Sequence, residues 1–395
     1  MTTSMKPFTP EQFLSDTART MKPSGIRRFF DLASQMEDVI SLGVGEPDFV
    51  TPWNFREASI LSLEEGYTAY SPNAGFLELR EEISTYMENR FSVAYDPHDE
   101  IIVTIGASEA LDIGLRAVIN PGDEVIVVEP CFVSYTPLVE VAGGKAITVQ
   151  ALPEHEFKIQ PEQLEEVITE KTKAIIICSP NNPTGTVLNR EELEKIAKVA
   201  IRHDLLVFSD EIYAELTYDE EYTSFANIEG MRERTIVMNG FSKAFAMTGW
   251  RLGYVCGPKE IIQAMLKIHQ YAIMCAPTMS QFAAIEALRN GFDEMKKMVN
   301  SYHQRRNYIV KEFRKIGLPC HVPGGAFYVF PDITSTGLSS EEFAERLLIE
   351  QHVAVVPGHV FGESGEGHIR CSYATGIEQL EEAMKRIDLF ICNYK

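Results

Sequence analysis

The chain has 395 residues, 45% of them hydrophobic and 24% charged, which is typical of a soluble globular protein with two or three packed units. Its 36 basic and 57 acidic residues give a net charge of −21, which argues against nucleic acid as a partner because phosphate binding needs clustered Lys and Arg. No apolar run is long enough to span a bilayer and no apolar signal core opens the chain, so we expect a cytoplasmic protein without membrane attachment.

The N-terminal part is predicted to form an arm, a helix over residues 26–36 and a short strand. From Glu100 onward, apolar segments alternate with segments of helical periodicity such as 191–202. Seven apolar segments are predicted as strands: 101–105, 124–128, 146–149, 174–178, 205–209, 235–239 and 252–256. Nearly continuous apolar strands between helices predict an α/β fold with a mainly parallel sheet covered on both faces.

Helices dominate residues 259–315, after which the pattern changes. Strands are predicted over 325–331 and 369–374, with helices over 340–350 and 377–393, which indicates a smaller α+β domain. The predicted division is an N-terminal arm with part of the small domain (1–48), a large domain (49–290) and a C-terminal small domain (291–395).

Polar or aromatic groups follow five of the predicted strands. These groups are Gly106-Ala-Ser108, Pro130-Cys-Phe132, Ser179-Pro-Asn-Asn182, Asp210-Glu-Ile-Tyr213 and Ser242-Lys243. Ligand sites in open parallel sheets form at the carboxyl ends of the strands, so we expect these groups to converge on one site.

Lys243 lies in the run Asn239-Gly-Phe-Ser-Lys-Ala-Phe-Ala-Met-Thr-Gly-Trp-Arg251. Upstream are Ser209-Asp-Glu-Ile-Tyr213 and Ser179-Pro-Asn-Asn-Pro-Thr-Gly185. A lysine that forms a Schiff base with pyridoxal phosphate (PLP) needs an arginine for the phosphate, a carboxylate for the pyridine nitrogen and polar groups for the phenolate oxygen. A solitary lysine is usually a surface residue in a salt bridge, but these neighbours favour a catalytic amine.

Taken together, the motifs from Gly45-Glu-Pro-Asp-Phe to Arg370 resemble the fold-type-I PLP-dependent aminotransferases of class I/II. The resemblance implies the PLP-transferase fold, with a mainly parallel seven-stranded sheet and a smaller α+β domain. It also implies PLP as cofactor, an amino acid and a 2-oxo acid as substrates, and a homodimer with a shared active site. Within this family, the chain is similar to the bacterial branch of alanine, aspartate, aromatic and N-acetyl-diaminopimelate transaminases, with an alanine-transaminase-like member as the best match. Three segments carry this similarity: Ser24-Gly-Ile-Arg-Arg-Phe-Phe, residues 244–254 with Met-Thr-Gly-Trp-Arg-Leu-Gly, and Lys267-Ile-His-Gln-Tyr271.

On this resemblance, Lys243 holds the cofactor and moves the substrate proton, and Asp210 pairs with the pyridinium nitrogen. Tyr213 and Asn182 are expected to bond the cofactor's 3′-oxygen. Two simpler interpretations stay open: Asp210 could cap a following helix, and Asn182, which precedes a proline, fits a plain turn.

The resemblance assigns the cofactor phosphate to Arg251, Ser242, Ala107 and Ser108. The planar guanidinium of arginine and the N-terminus of a helix both favour a phosphate, although Ser108 also fits an ordinary helix N-cap. Tyr70 resembles the family tyrosine that reaches across a dimer to the neighbour's phosphate, which implies an obligate dimer.

Phe132 is expected to stack on the cofactor ring, with Tyr135 as a weaker candidate, although an aromatic residue after a strand is more often part of the core. Arg370 is expected to bind the substrate α-carboxylate with two hydrogen bonds; a salt bridge at a strand edge is the alternative. Gly45 resembles the family glycine whose backbone approaches the substrate.

The sequence assigns no partner to a distal substrate carboxylate. Lys22, Arg27 and Arg28 are candidates, as is a residue of a partner subunit, but both arginines are equally well explained as solvated charges at a helix start. The N-terminal segment is hypothesised to close over the site as a lid.

Two other functions are alternatives to transamination. The nearest has the same fold with other chemistry, such as a β-C–S lyase or a cyclopropane-forming synthase. The more distant alternative is a non-catalytic PLP-binding regulator, which would need an added DNA-binding segment.

Motifs of two other kinds of site are absent. A dinucleotide fingerprint is absent because Asp48 stands where Gly43-Val-Gly45 would need a third glycine. The seven scattered cysteines include no C-x-x-C pair, which predicts reduced thiols and no zinc site.

Overall fold

The computed structural model describes residues 8–23, 25, 34 and 36–394. Its strands, in chain order, are β1 Ile40–Ser41, β2 Ile101–Thr104, β3 Glu124–Glu129, β4 Lys145–Gln150, β5 Thr172–Cys178, β6 Leu206–Asp210, β7 Thr235–Gly240, β8 Gly253–Cys256, β9 Tyr328–Val329, β10 Val353–Ala354, β11 Val356–Pro357 and β12 Ile369–Ser372. Its α-helices are Asp16–Thr20, Trp53–Glu64, Leu77–Phe91, Gly106–Val118, Tyr135–Val141, Pro161–Val167, Arg190–Arg202, Lys259–Ala272, Thr278–Asn290, Phe292–Lys315, Ser340–Gln351 and Ile377–Ile391.

Strands β2 to β8 form one seven-stranded sheet in the order β2-β8-β7-β6-β5-β3-β4. Strand β8 is antiparallel to β2 and β7, and the remaining pairs are parallel. Each of the seven strands lies within two residues of its predicted bounds. The structure therefore confirms the predicted α/β fold with a mainly parallel sheet.

Both faces of this sheet are buried. On β3, Val125 and Val127 pack in the same apolar cluster as residues of the helix Gly106–Val118, whereas Ile126 packs with residues of the helix Arg190–Arg202. All three β3 side chains are fully buried. Successive side chains of a strand point to opposite faces, so a sheet covered on both sides requires the nearly continuous apolar runs seen in the sequence.

The helix Arg190–Arg202 shows how local sequence sets an element. Asn189 Oδ1 accepts a hydrogen bond from the Glu192 backbone N–H at 3.0 Å, and the Glu192 side chain accepts one from the Asn189 N–H at 2.8 Å. This capping box fixes the start of the helix. Apolar residues then recur at helical spacing, and Leu193, Ile196 and Ala197 are buried against the sheet.

The C-terminal part contains a three-stranded antiparallel sheet in the order β11-β12-β9, and β1 pairs with β10 in parallel. Strand β9 is shorter than the predicted 325–331 because Ala326 has a φ of 57° and Gly325 bridges to Thr217. The predicted helix 26–36 falls almost wholly outside the described residues. The division into these three ranges remains a prediction.

Candidate active site

A cavity of about 410 Å³ is lined by residues that end or follow β2, β3, β5, β6 and β7, together with residues near β1, β9 and β12. Eleven of the twelve predicted site residues line it: Gly45, Ala107, Ser108, Phe132, Asn182, Asp210, Tyr213, Ser242, Lys243, Arg251 and Arg370. The order of the strands in the sheet brings these distant sequence positions together, because the parallel strands all end at one edge.

Lys243 follows the end of β7, and its Nζ donates a hydrogen bond to the Gly45 carbonyl oxygen at 2.7 Å. The pKa of this amine is lowered from 10.5 to about 8, mainly by burial; the charges of Arg370 and Arg251 contribute to the lowering, while Glu46 and Asp210 oppose it. An amine with a pKa of about 8 is partly neutral under mild conditions, which allows it to act as a nucleophile and as a base.

Asp210 is the last residue of β6. Its Oδ2 accepts a hydrogen bond from the Tyr135 hydroxyl at 2.6 Å, and its Oδ1 accepts one from the Ile212 N–H at 3.2 Å. Burial raises the pKa of the Asp210 carboxyl, and the bond from Tyr135, the bond from Ile212 and the charge of Lys243 each counteract part of that rise. The following residues form a turn, so Asp210 does not cap a helix, and its carboxylate faces the cavity.

Arg370 is buried on β12, and its hydrogen bonds to described residues are all to neutral groups. Its Nη1 donates to Asn182 Oδ1 at 2.8 Å and its Nη2 donates to the Gly43 carbonyl at 2.7 Å, while its buried Nε has no hydrogen-bond partner among the residues that the structure describes. The Tyr328 ring lies 4.5 Å from the guanidinium carbon. No carboxylate in the described part of the chain pairs with Arg370, so its charge is available to an anionic ligand and the salt-bridge alternative fails.

Arg251 and the start of the helix Gly106–Val118 form a second positive end of the cavity. Gly106 has a φ of +72°, and a Cβ at this position would lie 2.8 Å from Arg251 Nη2. Glycine thus allows the guanidinium to approach the helix N-terminus, where Ala107 and Ser108 line the cavity. Free backbone N–H groups and a guanidinium are the groups that bind a phosphate.

The sequence does not predict the hydrogen bonds that the hydroxyls of two cavity tyrosines make. Tyr135 was expected only as a possible stacking residue, but its hydroxyl bonds Asp210. Tyr328 was not singled out, although its hydroxyl lies 2.8 Å from the Tyr213 hydroxyl. The sequence signal for Tyr328 is that it lies in the predicted strand 325–331, which belongs to the same predicted small domain as the strand of Arg370.

The remaining candidates lie elsewhere. Tyr70 is 81% exposed and does not line the cavity, so its predicted role requires a neighbouring subunit. Lys22 is exposed, and Arg27 and Arg28 lie outside the described residues. Over the described ranges, no helix has the length and apolar character to cross a membrane, and no cluster of His, Cys, Asp or Glu could hold a metal ion.

The family model described as aminotransferase class I and II matches residues 37–387. The chain therefore belongs to this family, the fold-type-I PLP-dependent aminotransferases, and it is an aminotransferase. This confirms the resemblance inferred from the motifs around Lys243 and Arg370.

Individual relatives extend the similarity over nearly the whole chain. Aminotransferase YugH of Bacillus subtilis (strain 168), whose name gives no substrate, is 62% identical over 379 residues, which cover 96% of this chain and 98% of the relative. The aspartate aminotransferase of Pyrococcus abyssi (strain GE5 / Orsay) is 48% identical over 378 residues, covering 95% and 97%. The crystal structure of an aromatic aminotransferase from Pyrococcus horikoshii OT3 superposes with a TM-score of 0.89 at 46% identity, covering 92% of this chain and 99% of that one. The substrates in these names differ, so the expected alanine preference is not confirmed.

Proposed function

We propose that the chain uses PLP to exchange an amino group between an L-amino acid, with alanine as the favoured donor, and a 2-oxo acid, either 2-oxoglutarate or pyruvate, in a ping-pong reaction. One observation carries this proposal. A buried lysine amine with a pKa of about 8 shares a cavity with a buried carboxylate and with two guanidinium groups that pair with no carboxylate in the described chain.

The residues present fit PLP. Arg251, Ser242 and the helix start at Ala107 and Ser108 would hold the phosphate, and Asp210 would keep the pyridine nitrogen protonated. Tyr213 and Asn182 would bond the 3′-oxygen, and Phe132 would stack on the ring. When bound, PLP supplies a ring that accepts electrons from the substrate Cα.

Within this proposal, Lys243 has two tasks. It binds the cofactor through its amine, and after the substrate amine has displaced it, it carries the proton from the substrate Cα. Both tasks require a neutral amine, which burial makes accessible near pH 8. Arg370 holds the substrate α-carboxylate, and the Gly45 backbone lies beside the Lys243 amine.

The charges of the cavity support a small donor. Among the described residues that line it, the basic side chains are Lys243, Arg251 and Arg370, each of which already has a proposed task. No basic group of the described lining is left for a distal carboxylate, which supports alanine over aspartate as donor. A dicarboxylic acceptor would need Lys22, Arg27, Arg28 or a residue of a partner subunit.

Exposed apolar side chains support a homodimer in which Tyr70 reaches the partner's phosphate site. Val50 is 74% exposed, Trp53 56% and Tyr271 95%, in addition to Tyr70. Large apolar groups that remain exposed on a single chain commonly mark an interface between proteins. A cytoplasmic location belongs to the same proposal.

Absorbance spectroscopy tests this function. Purified protein with PLP should show an absorbance band that changes when alanine is added, and less or not at all with aspartate, phenylalanine and acetyl-diaminopimelate. Glutamate should change the band if 2-oxoglutarate is the acceptor, because glutamate is the product of that half-reaction, and should leave it unchanged if pyruvate is the acceptor. Lys243→Ala should lose transamination and the covalent band. A band that responds best to another amino acid would remove the alanine preference, and release of pyruvate and ammonia from cystathionine without a co-substrate would favour a lyase. An active Lys243→Ala enzyme would refute the assignment of the catalytic amine.

A further inference from the structure

Tyr328, at the start of β9, contacts three of the predicted site residues. Its hydroxyl lies 2.8 Å from the Tyr213 hydroxyl. Its ring lies under the Arg370 guanidinium at 4.5 Å, and its hydroxyl oxygen would lie 2.5 Å from a Cβ placed on Gly45. The side chain is 1% exposed, so water cannot substitute for these contacts.

The direction of the hydrogen bond between the two hydroxyls follows from a count of protons. A phenol has one proton to donate, although its oxygen can also accept. On the proposed function, Tyr213 donates its proton to the cofactor's 3′-oxygen. Its oxygen can then only accept from Tyr328, and within the described part of the chain the Tyr328 hydroxyl has no other hydrogen-bond partner.

We propose that Tyr328 is a positioning residue: it donates its proton to the Tyr213 oxygen and thereby commits the Tyr213 proton to the 3′-oxygen of the cofactor. This inference rests on the proposed function. A donor behind Tyr213 polarises its hydroxyl, and hydrogen bonds in such a chain strengthen one another. Tyr328 would thus stabilise negative charge on the cofactor oxygen through Tyr213.

The test compares Tyr328→Phe with Tyr373→Phe. The first substitution keeps the ring under Arg370 and removes only the hydroxyl. The second removes another buried hydroxyl, one that bonds the Ala326 carbonyl at 3.1 Å and does not line the cavity. The measurement is the apparent pKa at which the absorbance of the enzyme-bound cofactor changes, together with thermal melting of each variant.

We expect the apparent pKa of the bound cofactor to rise by about 0.5 to 1 unit in Tyr328→Phe and to stay at the wild-type value in Tyr373→Phe. In Tyr213→Phe the further Tyr328→Phe change should add nothing, because both act through one hydrogen bond. An unchanged pKa in a folded Tyr328→Phe enzyme, or additive shifts in the double variant, would overturn the proposal. If wild-type protein shows no cofactor band, the proposed function fails instead.

A second measurement serves if Tyr328→Phe does not fold. Site-specific 3-fluorotyrosine at position 328 keeps the hydroxyl and makes it a stronger donor. The apparent pKa should then fall below the wild-type value, opposite to the effect of phenylalanine. A rise or no change in the fluorinated enzyme would also overturn the proposal.

Discussion

Burial acts on Lys243 and Asp210 in opposite directions and prepares each for its proposed task. It lowers the pKa of the lysine to about 8 and raises the pKa of the aspartic acid. The two groups differ in the hydrogen bonds that offset the effect of burial on the pKa. Tyr135 and the Ile212 N–H donate hydrogen bonds to Asp210, which favours its ionised form. Within the described ranges, the hydrogen-bond partner of the Lys243 amine is a neutral carbonyl.

The pH dependence of cofactor incorporation follows from the Lys243 pKa. Only the neutral amine attacks the PLP aldehyde, so the rate at which apoenzyme incorporates PLP should rise with pH and reach half its maximum near pH 8. Stopped-flow absorbance over a pH series measures this rate. A midpoint near the ordinary lysine value of 10.5 would show that burial does not control the amine.

Substitution of Arg370 should act on substrate binding. Arg370→Ala should raise KM for the amino donor on the order of 100-fold, because charge-assisted hydrogen bonds to a carboxylate are lost. Arg370→Lys keeps the charge but not the two-pronged geometry, and should lie between Ala and wild type. Steady-state kinetics measure both. Reaction with an amine that lacks a carboxylate is the control and should hardly change; a normal KM in Arg370→Ala would contradict the assignment.

At the scale of elements, the turn after β6 has some side chains that line the cavity and one that is buried away from it. Asp210 and Tyr213 line the cavity, whereas Glu211 is fully buried on the other side. Glu211 Oε1 accepts hydrogen bonds from the Ser209 hydroxyl at 2.9 Å, from the Ser224 hydroxyl at 2.9 Å and from the Phe225 N–H at 3.1 Å. These bonds anchor the turn that presents the two cavity residues.

The Glu211 anchor should make stability depend on pH. Burial raises the pKa of this carboxyl from 4.5 to about 7, so between these values the folded chain holds a proton that the unfolded chain has released. Raising the pH from about 5 to about 8 should therefore lower the free energy of unfolding, by on the order of 3 kcal/mol from this residue. Urea unfolding across this range measures it.

Glu211→Gln is the matched comparison for this pH effect. Glutamine keeps the acceptor oxygen but does not titrate, so the decline in stability with pH should be shallower than in wild type. Equal slopes in the two proteins would show that Glu211 contributes no pH dependence.

On the scale of the whole molecule, the net charge is −21, yet the cavity offers Lys243, Arg251 and Arg370 against the carboxylates of Glu46 and Asp210. We therefore expect an anionic cofactor and substrate to be bound by these local positive groups and not by the overall field.

Hybrid dimers test the shared site. If each site combines Lys243 of one subunit with Tyr70 of the other, a dimer of one Lys243→Ala chain and one Tyr70→Phe chain contains one fully wild-type site. Mixing equal amounts of the two variants through a dissociation step should make about half of the dimers hybrid, each with one of its two sites intact, and so restore about a quarter of the wild-type activity. Each variant passed alone through the same step is the control, and no gain over their separate activities would argue against a shared site.

The sequence by itself determined the family, the seven main strands and the set of residues at their ends. Apolar periodicity and the motifs around Lys243 are local properties, and the parallel sheet brings successive strand ends to one edge. It also determined that Asp210 and Tyr213 lie at the same site, because they belong to one short turn.

Only the tertiary structure decided how these residues are supported. Tyr135 bonds Asp210 across 75 positions, Tyr328 contacts Tyr213 across 115, and Arg370 bonds Asn182 across 188. No local pattern encodes such contacts, since they depend on which distant elements the fold brings together. The same holds for the pKa values of Lys243 and Glu211, because burial, which shifts them, is a property of the packed molecule.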